Sequence, residues 1–254
     1  MPHSARKKSS TGYYHAVPKG RANQLIFEGD EDKRLYLQLL EEGKRLYSIS
    51  IPAYCLMSNH THIVLEDEHD HIGDFMKYVH ERYAMKYSER SGRSGGIFIN
   101  PYWSEPIETD NHLLCAVRYV HANPAAAGLC SASEYEWSSA KDYMGRHGFA
   151  DTSMVLEMLG GSAGFIEWSK SRNDTASPFP GSHLRGHMSD GEAYRVACSV
   201  VGKHAMTDIG KMSPEERTNV IAALLERLFP VAQLSRITGV SQSQIHRIAT
   251  CAHN

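Results

Sequence analysis

The stretch Pro52-Ala53-Tyr54-Cys55-Leu56-Met57-Ser58-Asn59-His60-Thr61-His62-Ile63-Val64-Leu65 decides how the chain folds. Two apolar runs, Ile49 to Met57 and His60 to Glu66, flank the turn-forming pair Ser58-Asn59, which reads as two strands joined by a tight connection. The second run is β-branched with a period of two. Strand geometry places residues i and i+2 on one face, so His60 and His62 point one way while Thr61, Ile63 and Leu65 face a packed interior. Two imidazoles so presented can give one divalent ion two nitrogen ligands. The chain has fifteen histidines, so such a pair also arises by chance, and the spacing alone leaves both readings open.

Outward from this hairpin, Tyr13 to Val17 alternates as a strand, and Glu31 to Tyr47, with Leu35, Leu37, Leu39, Leu40 and Leu46, is helical in composition. A helix is expected from about Ile72 to Arg90, a flexible turn at Ser91 to Gly96, and a strand near Trp103 to Glu108. Asp110 and Asn111 can cap a helix whose apolar set is Leu113, Leu114, Val117 and Val120. Pro124 is expected to close it, because the residue before a proline is pushed out of helical backbone. The order β-α-β-β-α-β-α suggests an α+β sandwich of the split β-α-β kind. On that last helix His112, Tyr119 and Asn123 fall roughly 240° to 280° around from Leu113, at about 100° per residue, so they share a flank beside the buried stripe. Tyr119 and Asn123 stand one turn apart. They read either as a functional pair or as an amphipathic edge and a helix end.

The 254 residues allow two domains. A basic tail is expected over 1–11 and the α+β domain over 12–150. A Gly-, Ser- and Pro-rich linker then spans 151–190, and a helical domain 191–254, its clearest helix running from Pro214 to Leu228. Within it, Val231 to Ala249 reads as a helix-turn-helix: Gly239 makes the turn, Leu234, Ile237, Val240, Ile245 and Ile248 face inward, and Gln242, Ser243, Gln244, His246 and Arg247 are left for duplex DNA. No apolar run approaches the roughly 18 residues that a bilayer crossing requires. With no secretory signal and five scattered cysteines, the chain is expected to be cytoplasmic, without a disulfide framework or a zinc finger. The net charge of -2 does not announce a nucleic-acid binder, but Met1 to Ile26 holds Arg6, Lys7, Lys8, Lys19 and Arg21 and no carboxylate. Basic and aromatic residues also interleave between Ile72 and Arg90, where Lys77, Arg82, Tyr83 and Lys86 could hold phosphates and stack bases.

The hairpin run, with Arg118-Tyr119-Val120-His121-Ala122-Asn123-Pro124 and Ala127-Gly128-Leu129, resembles the REP-associated tyrosine transposases, relatives of the single-tyrosine HUH, IS200-like enzymes. Tyr14-His15-Ala16-Val17, Lys19-Gly20, Ile26-Phe27 and Tyr135-Glu136-Trp137-Ser138-Ser139 add to the likeness, which spans about Gly12 to Gly145. The resemblance implies a ferredoxin-like domain acting on single-stranded DNA, often at palindromic hairpins. Tyr119 would be the nucleophile, with His60, His62 and Asn123 holding Mg²⁺ or Mn²⁺. It implies cleavage through a 5′-phosphotyrosine and strand transfer, by a monomer or a homodimer, with Arg118 among the DNA contacts. Two departures stand out: Thr61 replaces a bulkier residue, and Ile97 to Trp103 lacks the arginine that relatives commonly carry there. The second favours an alternative, a domesticated DNA-binding regulator without catalysis. A metal hydrolase in which the histidines activate water is a third reading.

Overall fold

The computed structural model describes residues 6–21, 24–92, 96–127, 129–170, 178–179, 194, 197–198, 200–202, 206, 209, 212–226 and 231–251. The chain divides into two compact units. The first begins with β1 (Tyr13–Val17), α1 (Asp30–Tyr47), β2 (Ser50–Leu56), β3 (Thr61–Glu66), α2 (Ile72–Ser91), β4 (Trp103–Ile107) and α3 (Asp110–Ala126). The four strands form one antiparallel sheet in the order β2-β3-β1-β4. That is the split β-α-β arrangement: β3 fills the gap between β2 and β1, and the two long helices serve as crossovers.

Local chemistry explains the helices. Asp30, Glu31 and Asp32 open α1 and Lys44 and Arg45 end it, matching the helix dipole at both ends. The buried Asp32 carboxylate accepts the Glu28 and Gly29 amides at 2.8 and 3.3 Å and pairs with Arg90 of α2, fixing where the two helices start and stop. Tyr36, Leu39 and Leu40 of α1 and Phe75, Met76, Val79, Tyr83 and Tyr87 of α2 cover one sheet face, against Tyr14, Ala16, Ile63 and Leu65. Tyr83, expected to contact DNA, is instead wholly buried; its hydroxyl donates to the Ile26 carbonyl and its ring packs on Phe27 and Tyr36. The helical repeat through Phe75, Val79, Tyr83 and Tyr87 is an apolar stripe, and core packing there outweighs base stacking.

Three further expectations are corrected. Pro124 does not close α3, which runs on to Ala126. A proline cannot donate to the carbonyl four residues back, here that of Val120. The Asn123 side-chain amide reaches that carbonyl at 3.5 Å and donates to the Tyr119 carbonyl at 2.8 Å, easing the passage of the ring. The segment 151–170 is not linker: α4 (Ala140–Tyr143), α5 (Ser153–Leu159) and α6 (Gly161–Lys170) follow α3. Val155 and Phe165 are buried, Phe165 stacking on Tyr143 at 4.6 Å, and Asp151 binds the Ile51 amide at 2.8 Å and the Lys44 ammonium at 2.6 Å. The glycines at 160 and 161, both with positive φ, join two short helices rather than mark a domain boundary. Residues 6–11 are likewise no free tail: Arg6 donates to the Tyr102 hydroxyl at 2.6 Å and the Ser9 amide to that of Tyr14 at 3.0 Å.

The second unit has its own core of Ala197, Met206, Ile209, Ile221, Leu224, Leu234, Val240 and Ile245. Its described helices are α7 (Pro214–Glu226), α8 (Val231–Thr238) and α9 (Gln242–Cys251). Gly239, at φ +72°, turns the chain between α8 and α9. Gln242, Ser243, Gln244, His246 and Arg247 are exposed on α9, while Ile245 points inward.

Gly43 sits where α1 crosses α2. An added Cβ would lie 2.9 Å from the Phe75 ring. Gly→Ala in a helix interior ordinarily stabilises by about 0.5–1 kcal/mol. Here Gly43→Ala is expected to destabilise by about 1–3 kcal/mol through overpacking, read as a lowered midpoint in urea unfolding; a raised midpoint would contradict this packing.

Candidate active site

The sheet face away from α1 and α2 carries His15 on β1, His62 on β3 and Trp103 on β4. In register, His15 pairs with Val64 and Glu105, and His62 with Cys55. β3 is buried on both faces: Thr61, Ile63 and Leu65 toward the helices, His62 and Val64 away from them. His62 is only 1% exposed. The surface position expected for both histidines therefore holds only in part, because an inner strand of a covered sheet has no solvent face. His60 precedes the strand, bridges to Lys19, and is half-buried.

The His60 and His62 ring centroids lie 4.9 Å apart. Tyr119 of α3 meets His62 edge-on at 5.4 Å and His15 at 5.9 Å. The phenol therefore stands beside the paired histidines, and Leu113, Ala116, Val117 and Val120, buried on another side of α3, fix the helix rotation that puts it there. The His60 Nδ1 is 2.7 Å from the Asn59 Oδ1, and the His62 Nδ1 is 3.0 Å from the His15 Nε2. Asn123 is a further hydrogen-bond partner of the His62 ring. Phe179 packs on His15 at 4.3 Å and also meets Trp103, His112 and Tyr119.

Electrostatics keep the imidazoles neutral. Burial lowers His60 to about 4, with Lys19 adding to the shift. Burial also holds His62 well below its ordinary value, with His60 and His15 adding to the effect, and lowers His15 to about 3. A neutral imidazole is the ligating form. The donor set fits a divalent ion: two imidazoles and an amide oxygen, with room for water and phosphate oxygens in the shell, suit Mg²⁺ or Mn²⁺. Among the described residues no group of three His, Cys, Asp or Glu side chains could hold a metal by itself, so a third protein ligand would have to be an amide such as Asn123.

The structure brings His60, His62, Tyr119 and Asn123 together. His15, Trp103 and Phe179, absent from the expected site, complete the cluster; the period-two pattern of β1 was the signal that could have found His15. The basic residues are spread more widely. Lys77, Arg82 and Lys86 are exposed on α2, the Arg82 guanidinium 4.6 Å above the Tyr78 ring. Arg21 is exposed and Lys19 half-buried. Arg118 stacks on Trp168 at 3.8 Å and donates to its carbonyl at 3.0 Å, so this expected DNA contact is already engaged within the protein. Cys55, Cys115, Cys130 and Cys198 are free thiols. Among the described residues no helix is long and apolar enough to cross a membrane.

Residues 8–123 match the family model described as IS200-like transposases. Among solved structures, a REP-associated tyrosine transposase bound to a REP hairpin is similar in fold at 15% identity, covering 57% of this chain and 87% of its own, with a TM-score of 0.50. A protein from Deinococcus radiodurans R1 assigned as a transposase aligns at 17% identity over 44% of this chain and 92% of its own, with a TM-score of 0.33. No curated protein matches the chain.

Buried histidines make stability depend on pH. His15, His80 and His121 are all pushed down to about 3 by burial. The unfolded chain then binds more protons than the folded one between roughly pH 6.5 and 3, so stability is full above that window and falls as pH drops through it. Urea midpoints of the metal-free protein are expected to decline steadily below about pH 6.5; a flat profile down to pH 4 would contradict neutral burial.

Proposed function

Because residues 8–123 match the IS200-like transposase family model, we propose that the chain cleaves single-stranded DNA at palindromic hairpins and rejoins it through a covalent 5′-phosphotyrosine at Tyr119. The observation that carries the reading is the edge contact of Tyr119 with His62 at 5.4 Å, His62 itself 4.9 Å from His60. In this reading the Tyr119 oxygen attacks the phosphorus, the Tyr119 proton leaves to solvent, and the strand's 3′ oxygen departs as a free hydroxyl. The phosphodiester energy is retained in the new Tyr–phosphate bond for later joining. A Mg²⁺ or Mn²⁺ ion held by His60, His62 and the Asn123 oxygen would neutralise charge on the phosphate.

The protein's own groups do the positioning. His60 and His62 present lone pairs because burial keeps them neutral. Asn123, anchored to the Tyr119 carbonyl at 2.8 Å, keeps its amide one turn beyond the nucleophile. Lys19, Arg21, Lys77, Arg82 and Lys86 are the cations available to the DNA backbone. In the second unit Gln242, Gln244, His246 and Arg247 of α9 are the groups proposed to read duplex DNA in the manner of a helix-turn-helix. Trp103, opposite Val17 on β4 and only half-buried, offers a flat ring for a base.

The test is incubation with hairpin-bearing single-stranded DNA and Mn²⁺. The wild type is expected to form a protein–DNA adduct that survives denaturing electrophoresis, and Tyr119→Phe none. His60→Ala and His62→Gln are each expected to lower cleavage more than about 100-fold. Cleavage without an adduct, retained in Tyr119→Phe, would instead support the hydrolase reading; binding with no cleavage in any condition would support the regulator. Arg247→Ala is expected to weaken duplex binding and reduce its salt dependence by about one phosphate contact, measured by fluorescence anisotropy across salt concentrations; an unchanged curve would remove α9 from the interface.

A further inference from the structure

His15 belongs to β1, the strand beside β3, and is wholly buried. Its Nε2 lies 3.0 Å from the His62 Nδ1, the ring centroids are 5.2 Å apart and the planes differ by 5°. Two imidazoles with nitrogens that close can have centroids that far apart only when both nitrogens lie nearly on the line joining the centroids. The rings are therefore coplanar and end to end, and the N–H of one points along the lone pair of the other. This is the geometry of a well-aligned hydrogen bond. Phe179 covers a face of His15 and Trp103 meets it edge-on, so the His15 ring is held in place.

We propose that His15 is a positioning residue for divalent-cation binding, acting through His62; the inference rests on the metal site proposed above. The His62 Nδ1 is committed to His15, so a cation would bind at Nε2, in place of the ring's hydrogen bond to Asn123. Nε2 offers a lone pair only when the His62 proton sits on Nδ1. His62 Nδ1–H must then donate to the His15 Nε2, and His15 carries its own proton on Nδ1. That atom is buried without a partner among the described residues. Glu105, directly opposite His15 on β4, has an Oε2 that is likewise buried and unpartnered among them. Ligating histidines are commonly oriented through their second ring nitrogen in this way; here another histidine, on a different strand, performs that role.

The experiment measures Mn²⁺ affinity of the full-length, DNA-free protein by the loss of the free Mn²⁺ electron paramagnetic resonance signal. His15→Leu keeps the volume and removes the acceptor; it is expected to weaken Mn²⁺ binding about 10- to 100-fold. His15→Gln, whose Oε1 can take the place of Nε2, is expected to restore affinity to within about threefold of wild type. Wild-type affinity in a folded His15→Leu protein, or equal weakening in the Leu and Gln variants, overturns the proposal. If His15→Leu does not fold, His15→Asn replaces it: its carbonyl falls one methylene short, so affinity lost in Asn and kept in Gln supports the role, and equal affinities refute it. His62→Gln is run beside them. Unchanged Mn²⁺ binding in that variant means that the metal site itself has failed, whereas binding lost in His62→Gln but kept in His15→Leu sinks only the role of His15.

Discussion

The antiparallel pairing of β1 with β3 is the constraint on which the rest depends. These are the two inner strands of the sheet, and both are buried on both faces. A polar ring in such a strand must find its hydrogen bonds inside the protein. His62 finds them in His15 across the strand pair and in Asn123 from α3. The burial that makes these rings costly to protonate also keeps them neutral at neutral pH, each with one nitrogen lone pair, which is the condition for ligating a cation.

The second dependence is the rotation of α3. Its apolar stripe, Leu113, Ala116, Val117 and Val120, sets which flank meets the histidines, and Tyr119 comes with that flank. Pro124 falls one residue after Asn123, and the Asn123 amide bridges to the carbonyls of Tyr119 and Val120. One side chain thus carries the helix past its proline and stands at the edge of the site. The Asn-Pro pair has a structural reason to exist whichever chemistry operates beside it.

Period-two and helical patterning made most of the first unit legible: all four strands and the first three helices lie within a few residues of their expected bounds. The pairing of His60 with His62, and the shared flank of Tyr119 and Asn123, were also readable, because strand and helix geometry act locally. What escaped were effects of tertiary context. Tyr83 reads as a base-stacking residue next to Lys86 and Arg82, yet the same helix places it in line with Phe75 and Val79, and the core took it. Residues 151–170 look like linker by their Gly and Ser content; two short helices instead meet at the left-handed Gly160 and Gly161 and bury Val155 and Phe165. His15 escaped because nothing in a single strand shows which neighbour it will pair with.

The central claim is that two imidazoles, an amide and a phenol surround one cation. Anomalous diffraction from crystals soaked in Mn²⁺ tests it most directly. The account predicts one strong peak between His60 and His62, within coordination distance of a nitrogen on each ring and on the side facing Tyr119 and Asn123. Coordinates in which Mn²⁺ binds elsewhere, or in which the paired rings stay vacant at saturating Mn²⁺, would contradict it.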